Sequence, residues 1–249
     1  ARLDIQGQGI RQAIDLASGM NFSWLLVEFD WAFYWPDPDT PPIFTQLDSV
    51  AALANEKNIN LVVSLSDPPA WAVTAQGPIP EKTTQLVIEL ARRYRGTVLA
   101  FELFPGANTV AGWSASPSPK GYADLIRTVS GGISSAVLDV SLVATLSPLL
   151  PGETGMNIPD IDFLRGLYAS NWQVSDPILG IHYPLITGEP LTLPSDTSLP
   201  VLRHYEYLRQ VLIENHDEHR LIWITGFSWP DELSLNTNLT EAQAGWLLQ

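Results

Sequence analysis

Short strand-like runs alternate with helical patterns along this chain at nearly constant spacing, and this spacing restricts the folds open to it. Each interval between runs holds one pattern of apolar residues three and four apart, which is typical of an amphipathic helix. The runs begin near residues 3, 24, 60, 97, 140, 178 and 220, so that from the second onward the starts are 36, 37, 43, 38 and 42 residues apart. The helical patterns include residues 44–57, 83–95, 122–138, 161–172 and 201–216. Strands that alternate with single helices predict successive βα units around a parallel sheet.

The expected fold is α/β, a (β/α)8 TIM barrel whose eighth βα unit is absent from these residues. A length of 249 residues is typical of one such barrel. However, only seven strands can be counted, and the last is followed by one helical pattern near residues 239–246. A seven-stranded sheet left open would have two unpaired edges. We therefore expect residues 1–249 to form a single domain of a longer polypeptide, with the eighth strand supplied from beyond Gln249 or by another segment.

The charge balance excludes several classes of partner. The chain has 27 acidic and 13 basic residues, a formal net charge of −14, and no cysteine. Nucleic-acid binding and attachment to anionic membranes both favour basic surfaces, and no apolar run is long enough to span a bilayer, so neither nucleic acid nor membrane insertion is expected. The absence of cysteine excludes disulfides and thiolate metal sites. The low charged fraction of 16% and the nine tryptophans indicate an extracellular or cell-surface protein. No cofactor and no metal are expected.

The candidate functional residues follow the strands, because the carboxyl ends of the strands carry the active sites of such barrels. Several are tryptophans, and aromatic rings at a barrel mouth can stack on sugar rings or simply pack the loops. Both interpretations remain open. The predicted ligand-binding residues are Asp30, Trp31, Asp67, Trp71, Asn108, Trp113, His182, Tyr183 and Trp229.

Five motifs in order resemble the clan A (β/α)8 glycoside hydrolases, most closely the xylosidase-like and cellulase-like branches. They read WLLVEFDW at 24–31, LSDPPAWA at 65–72, FELFPGAN at 101–108, GIHY at 180–183 and IWITGFSW at 222–229. The resemblance covers the second to seventh strands, nearly the whole chain. It implies the barrel fold and a cleft for carbohydrate.

The same resemblance shows which catalytic groups are missing. The family pattern Trp-Asn-Glu-Pro-Asn, whose Glu is the general acid/base, corresponds here to residues 104–108, with Gly106 at the position of the acid. The pattern Thr-Glu-Phe-Gly-Trp, whose Glu is the nucleophile, corresponds to residues 225–229, with Gly226 at the position of the nucleophile. The supporting arginine and asparagine correspond to Leu26 and Pro105. Retaining glycosidases need two carboxyl groups about 5 to 5.5 Å apart, and glycine supplies neither.

Three functions follow. The first is a catalytically inactive, glycosidase-like barrel that binds carbohydrate. The second is a structural module that buries a protein partner in a surface assembly. The third is an active glycoside hydrolase that uses relocated carboxylates, for which Asp30, Asp67 and Glu102 are the candidates. The absence of both family glutamates favours a non-catalytic role over the third.

Overall fold

The computed structural model describes residues 2–4, 9–149, 155–175, 177–184, 186, 192–194 and 200–227. Within them, seven parallel strands form one sheet in chain order, as the spacing predicts. The strands are β1 (Arg2–Asp4), β2 (Trp24–Asp30), β3 (Asn60–Ser66), β4 (Val98–Leu103), β5 (Ser141–Leu146), β6 (Ile178–Tyr183) and β7 (Ile222–Phe227). A short antiparallel hairpin, Val73–Thr74 with Gly77–Pro78, follows β3. The fold is a partial (β/α) barrel.

The helices lie between successive strands, and each of the five predicted helical segments overlaps one. The main helices are α1 (Ile10–Gly19), α2 (Trp31–Tyr34), α3 (Thr45–Glu56), α4 (Pro80–Arg93), α5 (Val110–Trp113), α6 (Pro119–Ser135), α7 (Asp160–Ala169) and α8 (Tyr205–Glu214). Helices α4 and α6 begin at prolines, three residues before their apolar patterns do, because proline at the first helical position loses no hydrogen bond. None of the described helices is both long and apolar enough to cross a membrane.

The strands bury side chains on both faces, as expected for parallel strands covered by helices. The large core between sheet and helices contains outward residues such as Val27, Val63 and Phe101. A smaller apolar cluster of Leu26, Val62, Ala100 and Val143 fills the inside of the barrel. Because side chains alternate between the two faces of a strand, residues two positions further along each strand also point inward, nearer the carboxyl ends. On the inner face of the sheet, the apolar layer is therefore followed by a second layer of side chains that lies nearer the mouth.

The described sheet is open between β1 and β7. A cavity of about 800 Å³ is lined by the inward residues Trp24, Leu26 and Val62 and by all of β7. Apolar side chains on β7 are exposed, including Ile224 at 43% and Phe227 at 47%. In a complete barrel an eighth strand would pair with the open edge of β7. The helix predicted near residues 239–246 lies outside the described residues.

Candidate functional site

A buried carboxylate lies inside the barrel, one layer above the apolar cluster. Glu102 on β4 is fully buried and accepts hydrogen bonds from the hydroxyls of Ser64 on β3 and Thr145 on β5, the latter at 2.7 Å. Gly180 on β6 leaves room for the second hydroxyl, since a Cβ at this position would lie 2.0 Å from Thr145 Oγ1. Both carboxylate oxygens are thus bound within the sheet, as buried charged groups must be.

The loop after β4 carries Gly106, the position that corresponds to the acid/base residue. Its φ is +75°, and a Cβ added here would lie 2.9 Å from Ser147 Oγ. The Gly106 N–H donates to the carbonyl of Thr145 at 3.1 Å, and its own carbonyl accepts from the Thr109 N–H and hydroxyl at 2.8 Å each. The backbone conformation and these contacts suit glycine rather than a residue with a side chain.

Asn108 ties the loop after β4 to the loop after β5. It is fully buried, and its Nδ2 donates to the carbonyls of Ser147 and Ile158 at 2.8 and 2.9 Å. Its Oδ1 accepts from the Ser147 N–H at 2.8 Å. The amide makes three hydrogen bonds within the protein, which gives it a structural role, and the predicted ligand contact of Asn108 stays a prediction.

Tyr122 of α6 supports the same two strands from outside the barrel. Its hydroxyl donates to the Leu103 carbonyl at 2.6 Å and accepts from the Thr145 N–H at 3.2 Å, at the ends of β4 and β5. Complete burial is the main cause that raises the pKa of this hydroxyl well above its usual range, with the nearby Glu102 charge adding to the effect. Tyr122 therefore remains a neutral structural bridge.

The loops after β2 and β3 lie together and carry four predicted residues. Asp30 accepts a hydrogen bond from the Phe33 N–H at 2.9 Å and so caps the short helix α2. The Ala32 N–H donates to the Asp67 carbonyl at 2.8 Å, which joins the two loops. Trp31 and Trp71 meet edge to face, with ring centroids 5.5 Å apart. These contacts bring together the two loops that carry Asp30, Trp31, Asp67 and Trp71.

Two further aromatics lie in this region and were not predicted as site residues. Trp35 packs against Trp71 with centroids 5.1 Å apart, and Phe33 is 50% exposed. We call Phe33, Trp35 and Trp71, the aromatic residues of these two loops that are not buried, the aromatic platform; the Phe33 ring itself meets Tyr34 edge to face, with centroids 4.9 Å apart. The burial pattern of a four-residue helix cannot be deduced from its sequence, and the only available signal was the run of aromatics from 31 to 35. Exposed aromatic faces at a barrel mouth can stack on a sugar ring.

Two indole N–H groups in this region are buried without an acceptor. Nε1 of Trp31 and Nε1 of Trp71 have no hydrogen-bond partner among the described residues. An unpaired buried N–H costs about 1 to 3 kcal/mol, so such a group normally bonds water or a ligand. By contrast, Nε1 of Trp35 donates to the Thr40 carbonyl at 2.9 Å.

Three predicted aromatic residues are buried and do not fit a stacking role. Trp31 and Tyr183 are 0% exposed, and Trp113 is 1% exposed, so protein covers their ring faces. The Trp113 N–H donates to the Gln76 carbonyl at 2.9 Å, and the Tyr183 hydroxyl donates to the Leu202 carbonyl at 2.9 Å. These rings pack the loops, which is the alternative that the sequence left open. The burial of these rings depends on contacts between residues distant in sequence, and such contacts cannot be predicted from composition.

The remaining predicted residues belong to β6 and β7. His182 is half-buried and lies opposite Gly226, the position that corresponds to the nucleophile, in the strand register. A bulge between Ile181 and His182 leaves Thr225 outside the regular pairing, with its hydroxyl 3.3 Å from the Ile181 carbonyl. Trp229 lies outside the described residues. The ligand-binding roles of Asp30, Asp67, Trp71 and His182 stay predictions.

Comparisons with known proteins agree with this fold. No family model matches the sequence, and no curated protein gives a significant match. Among solved structures, a GH39 enzyme from Xanthomonas axonopodis pv. citri has a TM-score of 0.60 at 14% identity, over 92% of this chain and 50% of that chain. A family 39 glycoside hydrolase from Bacteroides cellulosilyticus WH2 has a TM-score of 0.64 at 17% identity, over 96% and 49%. A GH10 endoxylanase from a sugarcane soil metagenome has a TM-score of 0.58 at 12% identity, over 92% and 66%.

The structural neighbours are thus clan A glycoside hydrolases at low identity, and this chain has a glycoside-hydrolase-like fold. It spans about half the length of the two family 39 structures. Identities this low establish the architecture alone, so function has to be argued from the residues at the mouth.

Proposed function

We propose that this chain is a glycosidase-like barrel that binds carbohydrate without hydrolysing it, as one domain of an extracytoplasmic protein. The observation that carries the proposal is the loop at Gly106. Its φ of +75° and the 2.9 Å from a built Cβ to Ser147 Oγ oppose any side chain, and therefore a carboxylate, at the acid/base position. Gly226 likewise supplies no nucleophile at the other position. A retaining mechanism needs both groups.

The aromatic platform supports the binding half of the proposal. Phe33 is 50% exposed, and Trp71 brings an indole N–H without an acceptor among the described residues. The carboxylates of Asp30 and Asp67 follow the same two strands and can accept hydrogen bonds from sugar hydroxyls. Stacking together with a few polar groups is the usual composition of a carbohydrate site.

Relocated carboxylates are less well supported. Glu102 is fully buried, and its two oxygens bind Ser64 and Thr145, so it does not face the mouth as a free acid. Asp30 and Asp67 remain as a pair that an inverting mechanism could use, since that mechanism tolerates carboxyl groups about 6.5 to 9.5 Å apart.

A structural role in an assembly is the second candidate, and the exposed apolar residues beside the open edge favour it. Leu221 on the approach to β7 is 60% exposed and Leu16 on α1 is 65% exposed. A protein partner that covered them would bury apolar surface at about 25 cal/mol per Å². This role and carbohydrate binding use different surfaces and are compatible.

Hydrolysis is tested by incubating the protein with a panel of aryl glycosides and polysaccharides. We expect no turnover above that of a heat-denatured sample. Turnover that disappears in both Asp30→Asn and Asp67→Asn would overturn the proposal in favour of the relocated pair.

Binding is tested by affinity gel electrophoresis in soluble polysaccharides, with Phe33→Ala and Trp71→Ala as platform variants. We expect retardation of the wild type and its reduction in both variants. Leu16→Ala is the matched control, because it also removes an exposed apolar side chain but lies on α1. Equal retardation of all four proteins, or of none, would contradict binding at the platform. Circular dichroism checks that the variants are folded.

A further inference from the structure

The five connections that lead from a strand to the next helix carry no positive charge. Residues 31–44, 67–79, 104–118, 147–159 and 184–201 contain no Lys, Arg or His, although the whole chain has 13 Lys and Arg. The acids within these connections are Asp37, Asp39, Asp67, Glu153, Glu189 and Asp196. All five begin at the carboxyl ends of β2 to β6. Residues 104–118 carry no charged side chain, and of the acids Asp37, Asp39 and Asp67 belong to the part of the chain that the structure describes.

The opposite end of the barrel differs. The turns that lead from a helix to the next strand contain Lys57, Arg95 and Arg220 together with acids such as Asp139 and Asp217. There the signs are mixed and partly paired, since Arg220 Nε binds Asp217 Oδ2 at 2.6 Å. The charged side chains of the described loops at the mouth are therefore all negative, whereas those of the opposite end are mixed.

Apart from His182 at the end of β6 and His204, which binds Asp160 at 2.7 Å, the Lys and Arg residues near the mouth lie in the first turns of helices. Two of them are already paired within their own helices or turns, Lys120 with Asp124 and Arg203 with Glu206, each at 2.6 Å. The others at helix starts are Arg11 and Lys82. None of the four belongs to the loops that carry the aromatic platform.

Exposed aromatic rings beside carboxylates form the environment that attracts cations, because the ring face and the carboxylate are both negative. At the platform, Asp67 is exposed and Asp30 half-buried, on the two loops joined by the bond from Ala32 N–H to the Asp67 carbonyl. The fully buried Trp31 and the neighbouring Trp71 both carry an indole N–H without an acceptor among the described residues, so this region has two unsatisfied donors. An anionic sugar would meet no basic side chain from the platform loops.

We propose that the aromatic platform with Asp30 and Asp67 selects amine-bearing saccharides of the glucosamine type over their N-acetylated and acidic counterparts. This inference rests on the proposed carbohydrate-binding function. The protonated amine lies against a ring face and a carboxylate, while the sugar ring stacks on the platform. A carboxylated or sulfated sugar is repelled by the same carboxylates.

The test measures affinity by calorimetry for three oligosaccharides of equal length, composed of glucosamine, N-acetylglucosamine or galacturonic acid. We expect the amine form to bind at least about tenfold more tightly than the acetylated form at low salt, a preference that shrinks at high salt as screening increases. Asp67→Asn should remove most of this preference, and asparagine tolerates the left-handed backbone of this position, φ +47°. Asp139→Asn, in a turn at the opposite end, is the matched control.

The possible outcomes are distinct. A preference lost in Asp67→Asn and retained in Asp139→Asn supports the inference. Equal or tighter binding of the acetylated form, reduced in Phe33→Ala, overturns the inference and leaves the proposed function standing. If Phe33→Ala does not weaken binding of the amine form, or if Asp67→Asn and Asp139→Asn weaken it equally, the protein attracts the amine through its net charge alone. Either result also overturns the inference. No binding of any oligosaccharide contradicts both proposals.

Discussion

The two halves of the barrel mouth differ in how their polar groups are used. In the half after β4 and β5, Asn108 is buried and its amide makes three hydrogen bonds within the protein. In the half after β2 and β3, Phe33 and Asp67 are exposed and two buried indole N–H groups have no acceptor among the described residues. The position that corresponds to the acid/base residue lies in the first half. In the half that contains Gly106, the buried amide is used in packing the loops; in the other half, an aromatic residue and an acid are exposed.

The largest expected effect that would sharpen this contrast is that of Asn108→Ala. The substitution leaves the Ser147 and Ile158 carbonyls and the Ser147 N–H without partners in a buried site, so we expect the free energy of unfolding to fall by about 3 kcal/mol. Urea denaturation measures it. Asn55→Ala, at an exposed position of α3, should change stability by less than about 0.5 kcal/mol. Similar small effects for both variants would show that the hydrogen bonds of the Asn108 amide contribute little to stability.

Next in size is Gly106→Ala, compared with Gly96→Ala. Both glycines have positive φ, +75° and +82°, but a Cβ on Gly96 meets nothing within 4 Å whereas one on Gly106 meets Ser147 Oγ at 2.9 Å. We expect a loss of about 1 kcal/mol at Gly96 from backbone strain alone and about 2 kcal/mol at Gly106. Equal losses in thermal or urea unfolding would mean that Ser147 moves aside freely, and that a side chain fits the acid/base position after all.

Tyr122→Phe tests the closed half from its outer side. Removing the hydroxyl leaves the Leu103 carbonyl and Thr145 N–H unpaired, and we expect a loss of about 1.5 kcal/mol near neutral pH. Because burial raises the pKa of Tyr122 in the folded state, its contribution is complete below the unfolded value of about 10 and is lost as the pH rises above it. The wild type should therefore lose stability more steeply than the variant in alkaline urea titrations. Parallel curves would contradict this assignment.

The contrast between the halves also shows which features of the structure could be predicted from the sequence and which could not. Strand number, strand order and the five main helical segments followed from the spacing of apolar runs, because buried parallel strands and amphipathic helices impose local periodicities. Whether a given aromatic ring is exposed at the mouth could not be predicted from that spacing. Trp31 and Trp71 follow neighbouring strands, yet Trp31 is fully buried and Trp71 half-buried, and this difference arises from packing between loops distant in sequence.

Gly131 and Gly132 illustrate the same limit inside a helix. Two glycines reduce helix propensity by about 1 kcal/mol each, and the sequence offers no reason for them. In the structure α6 runs through both without a break, and a Cβ on Gly132 would lie 2.3 Å from Thr84 Cγ2 of α4, whereas Gly131 meets nothing within 4 Å. Gly132 permits the close packing of α6 against α4, and nothing in the structure explains Gly131.

The smallest expected effect, Asp67→Gly, tests the open half in the opposite direction. Asp67 holds a φ of +47°, a conformation that glycine adopts without strain, so relief of strain should slightly exceed the entropic cost of glycine and raise stability by about 0.5 kcal/mol. The same change should weaken binding of the glucosamine oligosaccharide, while Asp67→Asn changes stability by less. A variant that is more stable and binds less well indicates that the backbone strain at Asp67 is retained for a ligand. Loss of stability would instead assign Asp67, like Asn108, to the packing of the mouth, and the contrast between the two halves would disappear.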